Sequence, residues 1–209
     1  MKKKPFFYPL ARVIAAIMFH VIYPTEVQNG KKLPEDTGVI VCSNHVSLID
    51  PIVINYSQKR MVLFMAKKEL FKNKLLAGLI KCFGAFPVDR GQDGGKAIEN
   101  ADKLLKEKNC IGIFLEGTRS KNGELGRGHG GAFMIAHQSD TPIVPCCITP
   151  RTGFFKPFRK TKITFGEPIT CEELGIAEGN AKEYREAAKR FMAILAEMRE
   201  KQRNEFRKR

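Results

Sequence analysis

The sequence predicts a single α/β domain with a mostly parallel mixed sheet flanked by helices. Short β-rich runs alternate with helix-compatible segments, and this alternation is typical of helices packed on a mostly parallel sheet. The chain has 209 residues, of which 43% are hydrophobic and 28% are charged, as in folded globular proteins. This length suits one substantial α/β core and is short for two.

Six runs rich in β-branched and aromatic residues mark the predicted strands. They are residues 38–43, 61–66, 84–89, 111–116, 142–148 and 162–169. Helix-compatible patterns lie between them, at 51–58, 69–82, 94–108 and 129–139. Ligands of open α/β sheets bind beyond the carboxyl ends of the strands, so functional residues are expected there.

Residues 1–24 are predicted to form a helix that lies in a membrane interface. Basic residues at the start are followed by an uncharged apolar run from Val13 to Tyr23. This run has 11 residues, whereas a membrane-spanning helix needs about 20. No small-x-small cleavage site precedes Pro24, so a cleaved signal peptide is not indicated.

The net charge of +14 is concentrated in residues 1–12, 151–162 and 181–209. Clustered cations favour an anionic partner, either nucleic acid or an acidic membrane surface, and composition alone does not decide between them. Phenylalanines lie among the cations of 151–162, which favours a lipid headgroup boundary; the alternative is a solvated charged loop beside ordinary core residues.

The α/β domain is predicted to cover residues 25–180 and to be followed by a basic helix over 181–209. An apolar stripe on this helix, at three- and four-residue spacing, suits packing on the domain. Beyond Met198 the sequence is too polar to bury, so the end of the helix is expected to fray.

The six cysteines form neither C-x-x-C pairs nor the Cys/His spacing of a zinc site. At least three fall in predicted strands, where a free cysteine acts as a small buried hydrophobe. The pattern indicates a reducing, cytoplasmic setting and no metal site.

The segment VCSNHVSLIDP places His45 and Asp50 just after the first predicted strand. Residues five apart on a continuous helix point about 140° apart, so the two side chains can meet only across a turn. Ser47 or Asp50 can cap a helix that begins near Pro51, which supplies such a turn. A carboxylate on one imidazole nitrogen leaves the other as a base. The spacing fits equally a capping aspartate and a structural histidine.

Four further blocks follow NHVSLID in order. They are AKKELF (66–71), GAFPVDRG (84–91), FLEGTRS (114–120) and TPIVP (141–145). Their order and spacing resemble the glycerolipid acyltransferase family, and most closely its bacterial 1-acyl-sn-glycerol-3-phosphate (lysophosphatidic acid) acyltransferases. The motifs cover about residues 38–148, and the layout of most of the chain also agrees. The resemblance implies a glycerol-3-phosphate acyltransferase-like fold.

The resemblance implies transfer of a fatty acyl group from an acyl thioester to the free sn-2 hydroxyl of lysophosphatidic acid, forming phosphatidic acid. His45 would be the general base and Asp50 would orient it. Acyl-CoA or acyl-acyl carrier protein would be the co-substrate, with no cofactor or metal. The enzyme would be peripheral or monotopic at the cytoplasmic face of the cell membrane, with an anionic membrane surface and not nucleic acid as partner. The sequence has no G-x-S-x-G nucleophile elbow, in agreement with direct transfer.

Most candidate substrate-binding residues lie at or just beyond predicted strand ends. They are Asn44, Lys67, Arg90, Glu116, Gly117, Thr118 and Arg119. Arg119 follows a glycine-containing turn, and a guanidinium can hold phosphate oxygens through two parallel hydrogen bonds. The amides of Gly117 and Thr118 can face the same anion, and Glu116 is expected to position Arg119 or the loop. Lys67 and Arg90 are implied by the resemblance as further phosphate contacts.

Two positions depart from the family pattern. Leu115 stands where the third block usually has proline, and His129 with Gly130 stands where a basic residue is usual. If that cation holds a phosphate, acceptor affinity or choice differs in this chain. The same region, GRGHGG (126–131), matches the dinucleotide fingerprint G-x-G-x-x-G. It lacks a strand immediately before it and an acidic residue about 20 positions later, so it is predicted to be a loop entering a helix.

Three alternatives stay open. The acceptor could be glycerol 3-phosphate or another lysophospholipid. A non-catalytic basic protein that binds membrane or nucleic acid would explain the charge but not the blocks. A hydrolase using His45 and water would release free fatty acid from a thioester without any acceptor.

Overall fold

The computed structural model describes residues 8–30, 33–88 and 94–208. It confirms the predicted α/β fold, since within these residues seven strands form one mixed sheet with helices on both faces. The strands are β1 (Thr25–Gln28), β2 (Val39–Ser43), β3 (Val62–Lys67), β4 (Ala85–Val88), β5 (Cys110–Phe114), β6 (Ile143–Pro150) and β7 (Thr161–Phe165). The α-helices are α1 (Tyr8–Ile17), α2 (Asp50–Tyr56), α3 (Lys74–Cys82), α4 (Gly94–Lys106), α5 (Gly131–Gln138) and α6 (Ala181–Arg207).

The six predicted strands are present as β2 to β7, and each predicted helical segment contains a helix. A π-helical turn, Met18–Ile22, extends α1, and a 3-10 turn, Lys68–Phe71, precedes α3. The first strand, β1, was not predicted because its sequence TEVQ has a single apolar residue. It is a short edge strand that pairs in parallel with β7.

The strand order is β1-β7-β6-β2-β5-β3-β4, and every neighbouring pair is parallel except β6 with β7. The four strands β2, β5, β3 and β4 therefore lie side by side and point the same way. Their carboxyl ends meet at one edge of the sheet. Within the described residues, the first four sequence blocks lie at or next to this edge, as expected for a ligand site of an α/β sheet.

Each face of the sheet is covered by its own apolar cluster. On one face α4, α5 and α6 bury side chains such as Leu105, Phe133 and Phe191. On the other face α1 and α2 contribute Phe19 and Ile54. Because the central strands are buried on both faces, their sequences are continuous apolar runs and do not alternate between apolar and polar residues.

Helix α1 packs on the domain through one side only. Ala15 and Phe19 are buried, and the Phe19 ring stacks on Tyr56 of α2 with centroids 5.6 Å apart. The opposite side carries aliphatic side chains that are 56–60% exposed, namely Leu10, Val13, Ile14, Ile17 and Val21. No helix in the described part of the chain combines the length and apolar content needed to cross a membrane.

The prediction that the C-terminal helix frays beyond Met198 is wrong. Helix α6 continues to Arg207, and Arg199, Gln202 and Phe206 are buried along this part. The polar residues of the last turns pack because the sheet and its loops offer them partners. Composition alone does not reveal such partners.

Two buried cations, Arg199 and Lys162, form ion pairs that hold the end of α6 against the rest of the domain. Nη1 of Arg199 donates to Oε2 of Glu124 at 2.9 Å. Lys162 of β7 is 2% exposed, forms an ion pair with Glu205 of α6, and lies 5.2 Å from the centroid of the Phe206 ring. Part of the positive charge in the predicted basic segments is therefore neutralised inside the fold and is not available at the surface.

Candidate active site

The loop between β2 and α2 brings His45 and Asp50 together. Nδ1 of His45 lies 2.6 Å from Oδ2 of Asp50. The same carboxylate oxygen accepts the backbone N–H groups of Val46 and Ser47, at 2.7 and 2.8 Å. The turn that the spacing required is therefore present.

The expected cap of α2 differs from the structure. The helix begins at Asp50, with Ile49 as its N-cap residue and no capping bond from a side chain. Ser47 accepts the N–H of Ile49 through Oγ at a long 3.4 Å. Neither Ser47 nor Asp50 acts as the N-cap, because the Asp50 carboxylate turns back into the preceding loop.

The hydrogen bonds on Oδ2 of Asp50 define the tautomer of His45. An oxygen that accepts two backbone N–H groups is an acceptor toward the imidazole as well, so Nδ1 of His45 carries the hydrogen. Nε2 is then free to act as a base. Burial raises the pKa of Asp50, while its bonds to His45, Ser47 and Val46 act in the opposite direction. The carboxylate is fully buried and the imidazole is 16% exposed, so of this pair only the imidazole is accessible from solvent.

The backbone of His45 is held by the loop that follows β5. Its N–H donates to Oε1 of Glu116 at 3.2 Å, and its carbonyl accepts the N–H of Ser120 at 2.8 Å. Oε2 of Glu116 accepts the N–H of Gly126 at 2.9 Å. Glu116 is buried and links the backbone of His45 to that of Gly126; its predicted role in positioning Arg119 or the loop stays a prediction.

Gly117, Thr118 and Arg119 form the exposed tip of this loop. Gly117 has a φ of +67°, in the left-handed region that favours glycine. Arg119 immediately precedes Ser120, which is bonded to the His45 carbonyl. The backbone next to Arg119 is therefore bonded to the backbone of the candidate base, and the phosphate contact of the Arg119 guanidinium stays a prediction.

Asn44 lies inside the framework of the sheet. Its side chain is almost fully buried, Nδ2 donates to the carbonyl of Ile148 at 2.9 Å, and Oδ1 accepts the N–H of Ile148 at 2.8 Å. These bonds fasten the residue after β2 to β6. The structure thus gives Asn44 a structural role, and its predicted substrate contact stays untested.

The two other candidate cations are placed only in part. Lys67 is the last residue of β3, the strand next to β5, so its backbone lies at the same edge of the sheet. Arg90 lies outside the described residues, and β4 ends before it at Val88. Their phosphate contacts stay predictions.

Both departures from the family pattern border the site. Leu115 is buried in the core at the base of the loop. The N–H of His129 donates to the carbonyl of Leu115 at 2.9 Å. A Cβ on Gly117 would lie 3.5 Å from Cδ2 of His129, so this ring stands beside the exposed loop. GRGHGG is a loop entering α5, as predicted.

The sequence did not single out three contributors. Ser120 and Gly126 act through backbone N–H groups, which leave no signature in the side chain. Phe114 stacks on the imidazole of His45, with centroids 3.9 Å apart and planes 11° apart. An aromatic residue at the end of the strand that leads into FLEGTRS was the available signal for Phe114.

Two bacterial proteins are similar to this chain in sequence. A 1-acyl-sn-glycerol-3-phosphate acyltransferase of Bacillus subtilis is 36% identical over 148 residues, which are 69% of this chain and 73% of that protein. A protein of the same name from Streptococcus pneumoniae is 29% identical over 175 residues. That alignment covers 81% of this chain and 64% of the relative, so the chain spans less than two thirds of that protein.

A solved structure has the same fold. The crystal structure of the 1-acyl-sn-glycerophosphate acyltransferase PlsC from Thermotoga maritima superposes with a TM-score of 0.72 and 22% sequence identity. The match covers 93% of this chain and 79% of that chain. The family model described as Acyltransferase matches residues 24–149, which include His45, Asp50 and Arg119. The chain therefore belongs to the acyltransferase family.

Proposed function

We propose that this chain is a 1-acyl-sn-glycerol-3-phosphate O-acyltransferase, which acylates the sn-2 hydroxyl of lysophosphatidic acid to form phosphatidic acid. The observation that carries the proposal is a candidate base, oriented by a carboxylate, whose backbone is bonded to the loop that carries a candidate phosphate-binding arginine. His45 is bonded to Asp50, and its carbonyl is bonded to Ser120, next to Arg119. The names of the bacterial relatives support lysophosphatidic acid as the acceptor.

In the proposed reaction, Nε2 of His45 takes the proton of the sn-2 hydroxyl while the hydroxyl oxygen attacks the thioester carbonyl. A new C–O ester bond forms and the C–S bond breaks. The leaving thiolate then takes the proton from the imidazolium. Asp50 holds the ring through Nδ1 and stabilises the positive charge that the ring carries between the two proton transfers.

Arg119 is proposed to bind the phosphate of the acceptor, which places the hydroxyl of the same molecule near His45. Replacing Arg119 by alanine is expected to raise the KM for lysophosphatidic acid roughly tenfold or more, with a smaller loss of kcat. Arg119→Lys keeps the charge but loses the two parallel hydrogen bonds, so an intermediate KM is expected. Steady-state rates at varied acceptor and saturating donor measure both parameters.

The matched control for Arg119 is Lys182→Ala, which removes an exposed cation at the start of α6. Its KM for the acceptor should equal that of the wild-type protein. An Arg119→Ala variant with an unchanged KM would exclude the phosphate contact.

The acyl donor is proposed to be acyl-CoA or acyl-acyl carrier protein, and the positive surface suits either anion. The test of the function is a transfer assay in which lysophosphatidic acid, glycerol 3-phosphate and a second lysophospholipid compete, with both donors and several chain lengths. Preferential formation of phosphatidic acid is the expected result. Faster acylation of another acceptor would contradict the proposal, and fatty acid released without acceptor would indicate a hydrolase.

Attachment to the cytoplasmic face of an anionic membrane is proposed to occur through the exposed side of α1. Four exposed aliphatic side chains of α1, together with Val21 of the π-helical turn that extends it, recur at three- and four-residue steps and so form one stripe. The loop between β6 and β7, which belongs to the basic segment 151–162 and is called the basic loop, lies at the end of this stripe. The N–H of Phe158 in this loop donates to the carbonyl of Ile22 at 2.6 Å. Phe158 is 74% exposed and is surrounded in sequence by the exposed cations Lys156, Arg159 and Lys160. An apolar stripe that ends at a basic rim suits insertion at a lipid headgroup boundary.

The double variant Ile14→Ser and Ile17→Ser is expected to bind vesicles at least roughly tenfold more weakly, because two side chains no longer enter the apolar layer. Co-sedimentation with vesicles of phosphatidylglycerol and phosphatidylcholine measures this binding. Both side chains are exposed, so the thermal midpoint should not change. Unchanged vesicle binding would move the attachment to the basic loop or to α6, and tighter binding to duplex DNA than to vesicles would favour a nucleic-acid partner.

A further inference from the structure

The imidazole of His45 is supported by a stack of aromatic rings as well as by Asp50. The Phe114 ring lies against it with centroids 3.9 Å apart, and Phe64 stacks on Phe114 with centroids 5.3 Å and planes 18° apart. These rings come from β3, β5 and the loop after β2. We call His45, Phe114 and Phe64 the aromatic stack.

Gly112 makes room for the aromatic stack. A Cβ at this position would lie 2.2 Å from Cε1 of Phe64, a distance that a methyl group cannot occupy. Positions 112 and 114 face the same side of β5, since side chains alternate along a strand. The absence of a side chain at Gly112 thus lets the Phe64 ring lie over β5 and reach Phe114. Phe64 is 3% exposed, so the stack is anchored in the core.

We propose that Phe114 is a positioning residue for the base, with Phe64 as its support. The inference rests on the proposed function, because it assigns a role in the same acyl transfer. The hydrogen bond to Asp50 fixes one atom of the imidazole but permits the ring to tilt about that atom. A flat ring against the imidazole face restricts this tilt and so sets the direction of Nε2 toward the acceptor hydroxyl.

The aromatic stack also lies against the ring that becomes positively charged during the proposed reaction. The face of a phenyl ring carries partial negative charge, which attracts the imidazolium formed when His45 takes the proton. Leucine is apolar but has no such face. The interaction therefore strengthens in the transition state, and its loss lowers kcat more than it raises KM.

Phe114→Leu is expected to lower kcat roughly tenfold, while the KM for acceptor and donor changes less than about twofold. Phe114→Tyr keeps the flat ring and is expected to retain most of kcat. Phe64→Leu removes the supporting ring and should give a smaller loss, which provides a second variant if Phe114→Leu does not fold.

Proton NMR of the histidines gives a readout that needs no turnover. The chain has four histidines, and the signal that is missing in His45→Ala identifies His45. A stacked phenyl ring shields the imidazole protons. They should therefore move downfield in Phe114→Leu and keep their position in Phe114→Tyr.

Wild-type kcat in folded Phe114→Leu would overturn the proposal. Equal losses of kcat in Phe114→Leu and Phe114→Tyr would also overturn it, since they would indicate packing alone. Failure of the proposed function is recognised separately, by wild-type protein that does not acylate lysophosphatidic acid or by full activity of His45→Ala. The NMR chemical shifts of His45 test the contact with Phe114 whether or not the proposed function is correct. The kcat values of the variants can be measured with whichever acceptor the wild-type protein prefers.

Discussion

His45→Ala is expected to reduce phosphatidic acid formation about a thousandfold while the protein stays folded. General base catalysis contributes roughly 10² to 10⁴ in rate, and the substitution removes the only atom assigned to this step, Nε2. The loop should keep its conformation, because Glu116 and Ser120 bind the backbone of His45 and not its ring. The initial rate of product formation from lysophosphatidic acid, with saturating donor, measures the loss.

His137→Ala is the matched control for His45→Ala. His137 lies on α5, where Nδ1 is 3.3 Å from the hydroxyl of Tyr184, away from the edge that carries the site. Its kcat should stay near that of the wild-type protein. Full activity in His45→Ala, together with an unchanged circular dichroism spectrum, would rule out the proposed base.

Ending the chain at Met198 is expected to lower the free energy of unfolding by at least about 4 kcal/mol. The truncation removes the buried Phe206 side chain, and loss of such a phenyl group costs about 3 kcal/mol or more. It also removes Arg199 from Glu124 and Glu205 from Lys162. For a chain of this length the thermal midpoint should fall by about 10 °C.

Urea unfolding monitored by circular dichroism tests the effect of this truncation. The control lacks only residues 208 and 209, beyond the end of α6, and should match the wild-type protein. If the chain that ends at Met198 were equally stable, residues 199–207 would not be part of the cooperative fold.

The parts of the fold that the sequence predicts well are those set by local apolar patterns. The central strands are buried on both faces, so their β-branched runs stand out without knowledge of their neighbours. The end of α6 is different, because its burial depends on charges far away in the chain. The ion pairs of Lys162 with Glu205 and of Arg199 with Glu124 join residues that are far apart in the chain, and no local pattern of α6 reveals such partners.

In the candidate site, too, some contacts could be predicted from the sequence and others could not. The meeting of His45 with Asp50 was predicted from the resemblance to the acyltransferase blocks, whereas the spacing alone showed only that a turn must separate the two residues. The bonds from Ser120 and Gly126 were not, since every residue except proline carries a backbone N–H. The contact between Phe114 and His45 depends on the pairing of β2 with β5, which aligns Ser43 with Phe114. Register of this kind is a property of the assembled sheet.

The pairing of β1 with β7 has a consequence for the growing chain on the ribosome. Gln28 of β1 bonds to Thr164 of β7, which is 136 residues later, so this edge of the sheet cannot close until most of the chain has been synthesised. Helix α1 precedes every strand of the described sheet in the sequence, so it emerges before them with its apolar stripe. With the attachment proposed above, the nascent chain can meet a lipid surface before its sheet is complete, so that attachment need not wait for the folded domain.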